Sequence, residues 1–165
     1  MNKHFVHFCQ AAALSVALAL GSSGIAQADD NSMVVAESGI IKVRSAYSKA
    51  ETIARLKQDI AAKGIRFFDE IDQAKLAADA GIQIRPSTLL VFGNPPLGTQ
   101  FMTSNANAGL DWPVRLLVIQ DQASVVWTVY TDFAWIAARH GIANRADQFK
   151  MASMVIASIT SSVKA

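Results

Sequence analysis

Val114-Arg115-Leu116-Leu117-Val118-Ile119, the polar stretch Gln120-Asp121-Gln122-Ala123-Ser124, and Val125-Val126-Trp127-Thr128-Val129-Tyr130-Thr131 together decide the architecture. Two apolar runs joined by a short polar loop predict a β-hairpin, and a hairpin makes its strands antiparallel. Successive side chains alternate, so Trp127 and Val129 fall on one side and Val126, Thr128 and Tyr130 on the other. Upstream, the uninterrupted Leu89-Leu90-Val91-Phe92 reads as a strand buried on both faces. Between these runs lies Phe92 to Pro113, rich in Gly, Pro and Asn. Connections of that length are uncommon in compact domains and are usually functional or disordered. The ends Phe92-Gly93-Asn94-Pro95 and Gly109-Leu110-Asp111-Trp112-Pro113 argue for order, with helical turns expected near Pro95 to Thr103 and Asn105 to Ala108. Asn94 suits a helix N-cap and Pro95 the first helical position. Pro95 and Pro96 both lack an N–H, which disfavours a phosphate cradle there.

The rest of the chain alternates strands and helices. Ile40 to Ser45 reads as a strand, and Ser48 with Glu51 forms a capping box before Ile53, Leu56 and Ile60 at helical spacing. Ile65 to Ile71 follows as a strand, then a short helix capped by Asp72 and closed by Gly81. Asp132 caps a helix over Phe133 to His140, and Gly141 stops it. A last helix, Arg145 to Val163, lays Phe149, Ala152, Ile156, Ile159 and Val163 along one stripe. Ser153, Ala157 and Ser161 form a ridge of small residues elsewhere on that helix, beside Met154, a surface suited to a homodimer.

Residues 1–28 have the layout of a secretory signal: Lys3, an apolar run from Ala11 to Leu20, and Ala26-Gln27-Ala28 before Asp29. The run is shorter than the roughly 18 residues that span a bilayer, so no stable membrane insertion is expected after cleavage. Cleavage would leave a flexible segment over 29–38 and one domain over 39–165. It would remove the single cysteine and two of the three histidines, leaving His140. Disulfides, thiol chemistry and Cys/His metal sites are thereby excluded. The full chain carries 15 Lys and Arg against 13 Asp and Glu, without a basic run, so nucleic acid is not an expected partner.

Three islands resemble the domain of unknown function 302 family: Leu89 to Pro95, Ala108 to Pro113, and Tyr130-Thr131-Asp132 running on to Ala138-Arg139-His140-Gly141-Ile142. The likeness covers about Val43 to Ser162. It implies an α+β domain with an antiparallel sheet backed by helices, similar to the TATA-binding-protein-like fold and often dimeric, with no established reaction. The family pattern often has a histidine after the Ile-Asp pair, where this chain has Gln73. A family site using two histidines would be incomplete here.

No nucleophile elbow, phosphate-binding loop, dinucleotide fingerprint or metalloprotease helix appears, so neither cofactor nor metal is expected. The catalytic candidates are His140, with an ordinary pKa of about 6.5, and Asp132 or Asp111 as its carboxylate. The competing reading is a binding module in which Phe92, Trp112, Trp127, Tyr130 and Trp135 line an apolar cleft. Asn94, Asp111, Trp112, Tyr130 and His140 would then meet a small, partly apolar ligand. A third reading is a structural homodimer without a ligand. Topology suggests that Asn94, Asp111, Tyr130, Asp132 and His140 converge on one cleft, which favours an exported, ligand-binding or envelope-associated module over an acid/base enzyme.

Export is checked by mass spectrometry of protein from its native host. The expected N-terminus is Asp29, in a periplasmic or secreted fraction. A main cytoplasmic form that retains Met1 overturns this reading.

Overall fold

Alternation along the strands sorts side chains onto two faces, and the computed structural model shows which face the helices take. It describes residues 33–35 and 38–165; the expected signal over 1–28 lies outside the described residues. The strands are β1 (Met33–Val35), β2 (Ile40–Arg44), β3 (Arg66–Asp72), β4 (Ser87–Gly93), β5 (Val114–Gln120) and β6 (Val126–Thr131). They form one antiparallel sheet in the order β1-β2-β6-β5-β4-β3. The helices are α1 (Lys49–Ala62), α2 (Gln73–Asp79), α3 (Pro95–Ser104), α4 (Phe133–Arg139) and α5 (Ala146–Ser161), with a short 3-10 helix over Ala106–Asp111.

The core is the helix-facing side of the sheet. Leu90, Phe92, Leu116, Val118, Val126 and Tyr130 meet Leu56 and Ile60 of α1, Phe101 of α3, Phe133 of α4, and Phe149, Ile156 and Ile159 of α5. Each such side chain contributes about 1.5–3 kcal/mol when fully buried. Phe101 and Phe149 stack with centroids 4.0 Å apart, which plants α3 on α5. The α5 stripe expected from the sequence is the buried one.

Four local expectations need correction. Leu89 and Val91 are only half-buried, because the core-forming helices all lie against the other face of β4. Met33–Val35, within the segment expected to be flexible, pairs with β2 from Met33 opposite Val43 to Val35 opposite Ile41. The capping box is half-formed: Ser48 accepts from the Glu51 amide at 3.3 Å, while the Glu51 carboxylate accepts from Arg55 at 2.8 Å. Asn94 holds the N-cap position of α3 without a side-chain cap bond, since Pro96 has no amide to offer and the Leu97 amide bonds the Asn94 carbonyl.

Between β2 and its neighbours the chain depends on Gly39, at φ 73°, where a Cβ would overlap the Trp135 ring. Only glycine meets both demands. At the other end of β6, Asp121 organises the hairpin loop. Its Oδ1 accepts from the Ala123 and Val125 amides and its Oδ2 from Trp127 Nε1 at 2.8 Å.

The Trp127 hydrogen bond, then the Val125 amide, hold the Asp121 carboxyl below its ordinary value of 3.8. A depressed carboxylate contributes stability that is present above the unfolded value and lost as pH falls through the lower folded one. Asp121→Asn is therefore expected to lower Tm at about pH 7, and its deficit against the wild type should shrink below about pH 3.8. Thermal melts showing an equal deficit at about pH 2.5 would remove Asp121 from this role.

Candidate functional site

The connection from β4 to β5 builds the site in two parts. Gly93 and Gly98 face the Trp112 indole, and a Cβ on Gly98 would overlap its Nε1. The missing side chains form a slot that lets Trp112 lie against the start of α3. Below it is a cavity of about 40 Å³ with an almost wholly apolar wall that includes Phe92, Phe101, Trp112, Phe133 and Ala152. A single water needs about 10–15 Å³ on this measure, so about three heavy atoms fit. Asn94 stands on the cavity wall and is itself exposed. Ile65, Asn94, Leu97 and Val155 also border an open groove of about 390 Å³, whose far wall is Met151, Met154 and Ser158 of α5. Lys63 also lines that groove, with its ammonium bound to both Asp59 oxygens at 2.7 Å.

The second part is polar. Asp111 ends the 3-10 helix, just before the cis Trp112–Pro113 bond, with its side chain 4% exposed. His140 Nε2 donates to its Oδ2 at 2.7 Å, Arg139 Nη1 bonds both oxygens at 3.2 and 3.3 Å, and Arg115 Nη2 donates to Oδ1 at 3.1 Å. A carboxylate held by two guanidiniums has no proton to give, so the donor in the imidazole pair is Nε2. Arg115 Nη2 also donates to the Leu110 carbonyl, and Asn105 Nδ2 donates to the His140 carbonyl at 2.9 Å. Asp111 thus ties the long connection to β5 and to the C-terminal end of α4.

The residues expected to share one cleft are divided. Asn94 and Trp112 meet at the apolar cavity. Asp111 and His140 meet each other instead, and beside Asp111 is a space of only about 20 Å³, shared with Arg115 and Tyr130. Asp132 caps α4 by accepting from the Ala134 amide at 3.1 Å, while His140 stands at the opposite end of that helix. At 1.5 Å per residue the two are about 12 Å apart along the axis, which removes Asp132 as the carboxylate partner of His140. Tyr130 is buried, and burial, aided by the Asp132 charge and opposed by a bond to Thr160, raises its phenol above the ordinary value of 10.0.

The expected aromatic cleft is also divided. Phe92 and Trp112 line the cavity, Trp127 lies on the other side of the sheet, and Trp135 packs on Gly39. Phe101 and Phe133 take their places in the cavity wall. Arg115, Arg139 and Asn105 were missed by sequence reasoning. Arg139 adjoins His140, yet nothing in its position says that both turn toward Asp111. Among the described residues there is no cluster of His, Cys, Asp and Glu able to hold a metal ion.

Comparison with known proteins agrees with this architecture. The model of the domain of unknown function DUF302 matches residues 41–159, and the chain belongs to that family. A DUF302 protein from Bacillus stearothermophilus, described as an uncharacterized conserved protein, shares the fold with a TM-score of 0.70 at 15% identity. That match covers 76% of this chain and 98% of the other. Two longer relatives bear channel names. Fluoride-specific ion channel FluC 1 of Brucella suis biovar 1 is 36% identical over 113 residues, or 68% of this chain and 44% of that protein. Fluoride-specific ion channel FluC 2 of Brucella melitensis biotype 1 is also 36% identical over 113 residues, covering 42% of its length. The chain therefore spans less than half the length of these relatives.

Removing the charge of Asp111 tests the polar cluster. Breaking a fully buried ion pair costs about 3–5 kcal/mol, but the Arg115 and Arg139 side chains are about half exposed and can turn to water. Asp111→Asn is expected to cost about 2 kcal/mol in chemical denaturation, the scale of charged hydrogen bonds. Arg115→Ala should cost well under half as much. Equal costs would mean that the carboxylate is not the centre of the cluster.

Proposed function

We propose that this chain is an exported module that binds a small, partly apolar ligand at the Asn94 and Trp112 end of the connection between β4 and β5. One observation carries the reading: an apolar cavity of about 40 Å³ has on its wall a carboxamide that makes no cap bond, and it adjoins an open groove. Concave sites with a mostly apolar lining accept small apolar groups. The free amide of Asn94 would orient the polar end of the ligand, as a few placed polar groups do in ligand sites.

A second reading, an acid/base enzyme, draws on the 2.7 Å contact between His140 and Asp111. It ranks lower because the His140 ring is 5% exposed and the space beside Asp111 is about 20 Å³, room for one or two waters. Ion conduction is not proposed. Among the described residues no helix is long and apolar enough to cross a membrane, and the matched segment is under half of the proteins that carry the channel name.

Saturation-transfer NMR against small alcohols, amides and short esters tests the proposal. Wild-type protein is expected to give contacts that Ala152→Leu abolishes, since leucine would occupy the cavity. Asn94→Ala is expected to weaken binding about three- to tenfold, the worth of one net hydrogen bond. If every contact survives in a folded Ala152→Leu variant, the cavity is not the site.

A further inference from the structure

The cavity beneath Trp112 is too small to be a complete ligand site. Sites for small organic molecules enclose about 300–1,000 Å³, whereas the cavity holds about 40 Å³. The open groove beside it, at about 390 Å³, falls within that range. Ile65, Asn94, Leu97 and Val155 line both spaces, so the cavity is the deep end of one site and the groove its outer arm.

The outer wall of the groove follows from helical spacing. Met151, Met154, Val155 and Ser158 recur at i, i+3, i+4 and i+7 of α5, which puts them on one face beside the core stripe. A solvated helix face is normally charged or polar, yet these two methionines are 55% and 63% exposed. Methionine is unbranched and polarisable, and a wall made of it adapts to a flexible apolar chain. Leu97 of α3 and Ile65, just after α1, complete the apolar lining.

Charge and polarity narrow the ligand. Among the described residues that line the two spaces, Lys63 alone is charged, and its ammonium stands 2.7 Å from both oxygens of Asp59. A carboxylate or phosphate head would have to displace that partner. The polar group at the junction of cavity and groove is instead the Asn94 carboxamide, which makes no cap bond. It offers an N–H₂ donor and a C=O acceptor. A ligand carbonyl accepts from the first, and the N–H of a secondary amide also donates to the second. We propose that the ligand is an uncharged, unbranched secondary amide or ester. A short end of about three heavy atoms fills the cavity, its carbonyl lies at Asn94, and an alkyl chain runs out along Met151 and Met154. This rests on the cavity site proposed above and adds the charge of the ligand, the order of its polar and apolar parts, and its second arm.

Ligand-observed NMR titration of the full chain as purified, with N-alkylacetamides from N-ethyl to N-octyl, tests the assignment. Each added methylene, covered on one side by the groove, is expected to tighten binding about twofold, against about fourfold for complete burial. N-octylacetamide should therefore bind at least about thirtyfold tighter than N-ethylacetamide. Decanoate, with as many heavy atoms, should bind more weakly than N-octylacetamide. Met154→Glu, at an exposed position on the groove wall, should remove most of the chain-length gain with an unchanged far-UV spectrum. Met151→Glu should do the same, and decides if Met154→Glu does not fold. Ala157→Glu, at an exposed α5 position outside the groove lining, should keep the gain. Binding of the short amides with no chain-length gain overturns this inference and leaves the cavity site standing, whereas no binding across the series overturns both. A gain that survives both methionine variants removes the groove as the path of the chain. Decanoate bound as tightly as N-octylacetamide overturns the uncharged class.

Discussion

A carboxylate taken out of water must be answered by donors, and Asp111 is answered by three side chains. His140 and Arg139 approach from the end of α4, and Arg115 from β5. Those bonds close the long connection between β4 and β5 onto the sheet. With its far end held, α3 lies against α5 through the Phe101 and Phe149 stack, and Trp112 falls into the slot left by Gly93 and Gly98. The apolar cavity is a consequence of that arrangement.

The polar cluster and the cavity divide the labour of one loop. Asp111 and Trp112 are neighbours in sequence, yet one enters the ion cluster and the other the cavity wall. His140, the natural candidate for proton transfer, is committed at Nε2 to a neighbour that two arginines also hold. That environment positions the imidazole and leaves little space for a reacting molecule. Asn94 is the opposite case: exposed, without a cap bond, and on an apolar wall, it has hydrogen-bonding capacity to offer a visitor.

The sheet is asymmetric for a related reason. The described helices that contribute to the core do so on one face. The other face carries Leu89, Leu117 and Val129 side by side and borders α2, none of whose residues is fully buried. The loop site and the sheet face that the described core helices leave thus both follow from which face of the hairpin strands those helices occupy.

Periodicity and punctuation carried most of the fold. The β5–β6 hairpin, the α5 stripe, the Asp132 cap and the helical turns after Asn94 are local matters, set by alternation, by 3.6-residue spacing and by caps whose partners lie within a few residues. The DUF302 islands were legible for the same reason, since each is a short run read in place. What sequence could not decide was which distant groups turn toward one another. Val126, Thr128 and Tyr130 form one face in any register, but only packing chose that face for the core and left Trp127 outside. Asp111 sits 29 residues from His140 and Asp132 only eight before it, yet helix geometry carries Asp132 about 12 Å away and the fold brings Asp111 to 2.7 Å. Local energetics are written along the chain, whereas a buried charge selects its partners in space, after the helices and strands have been packed.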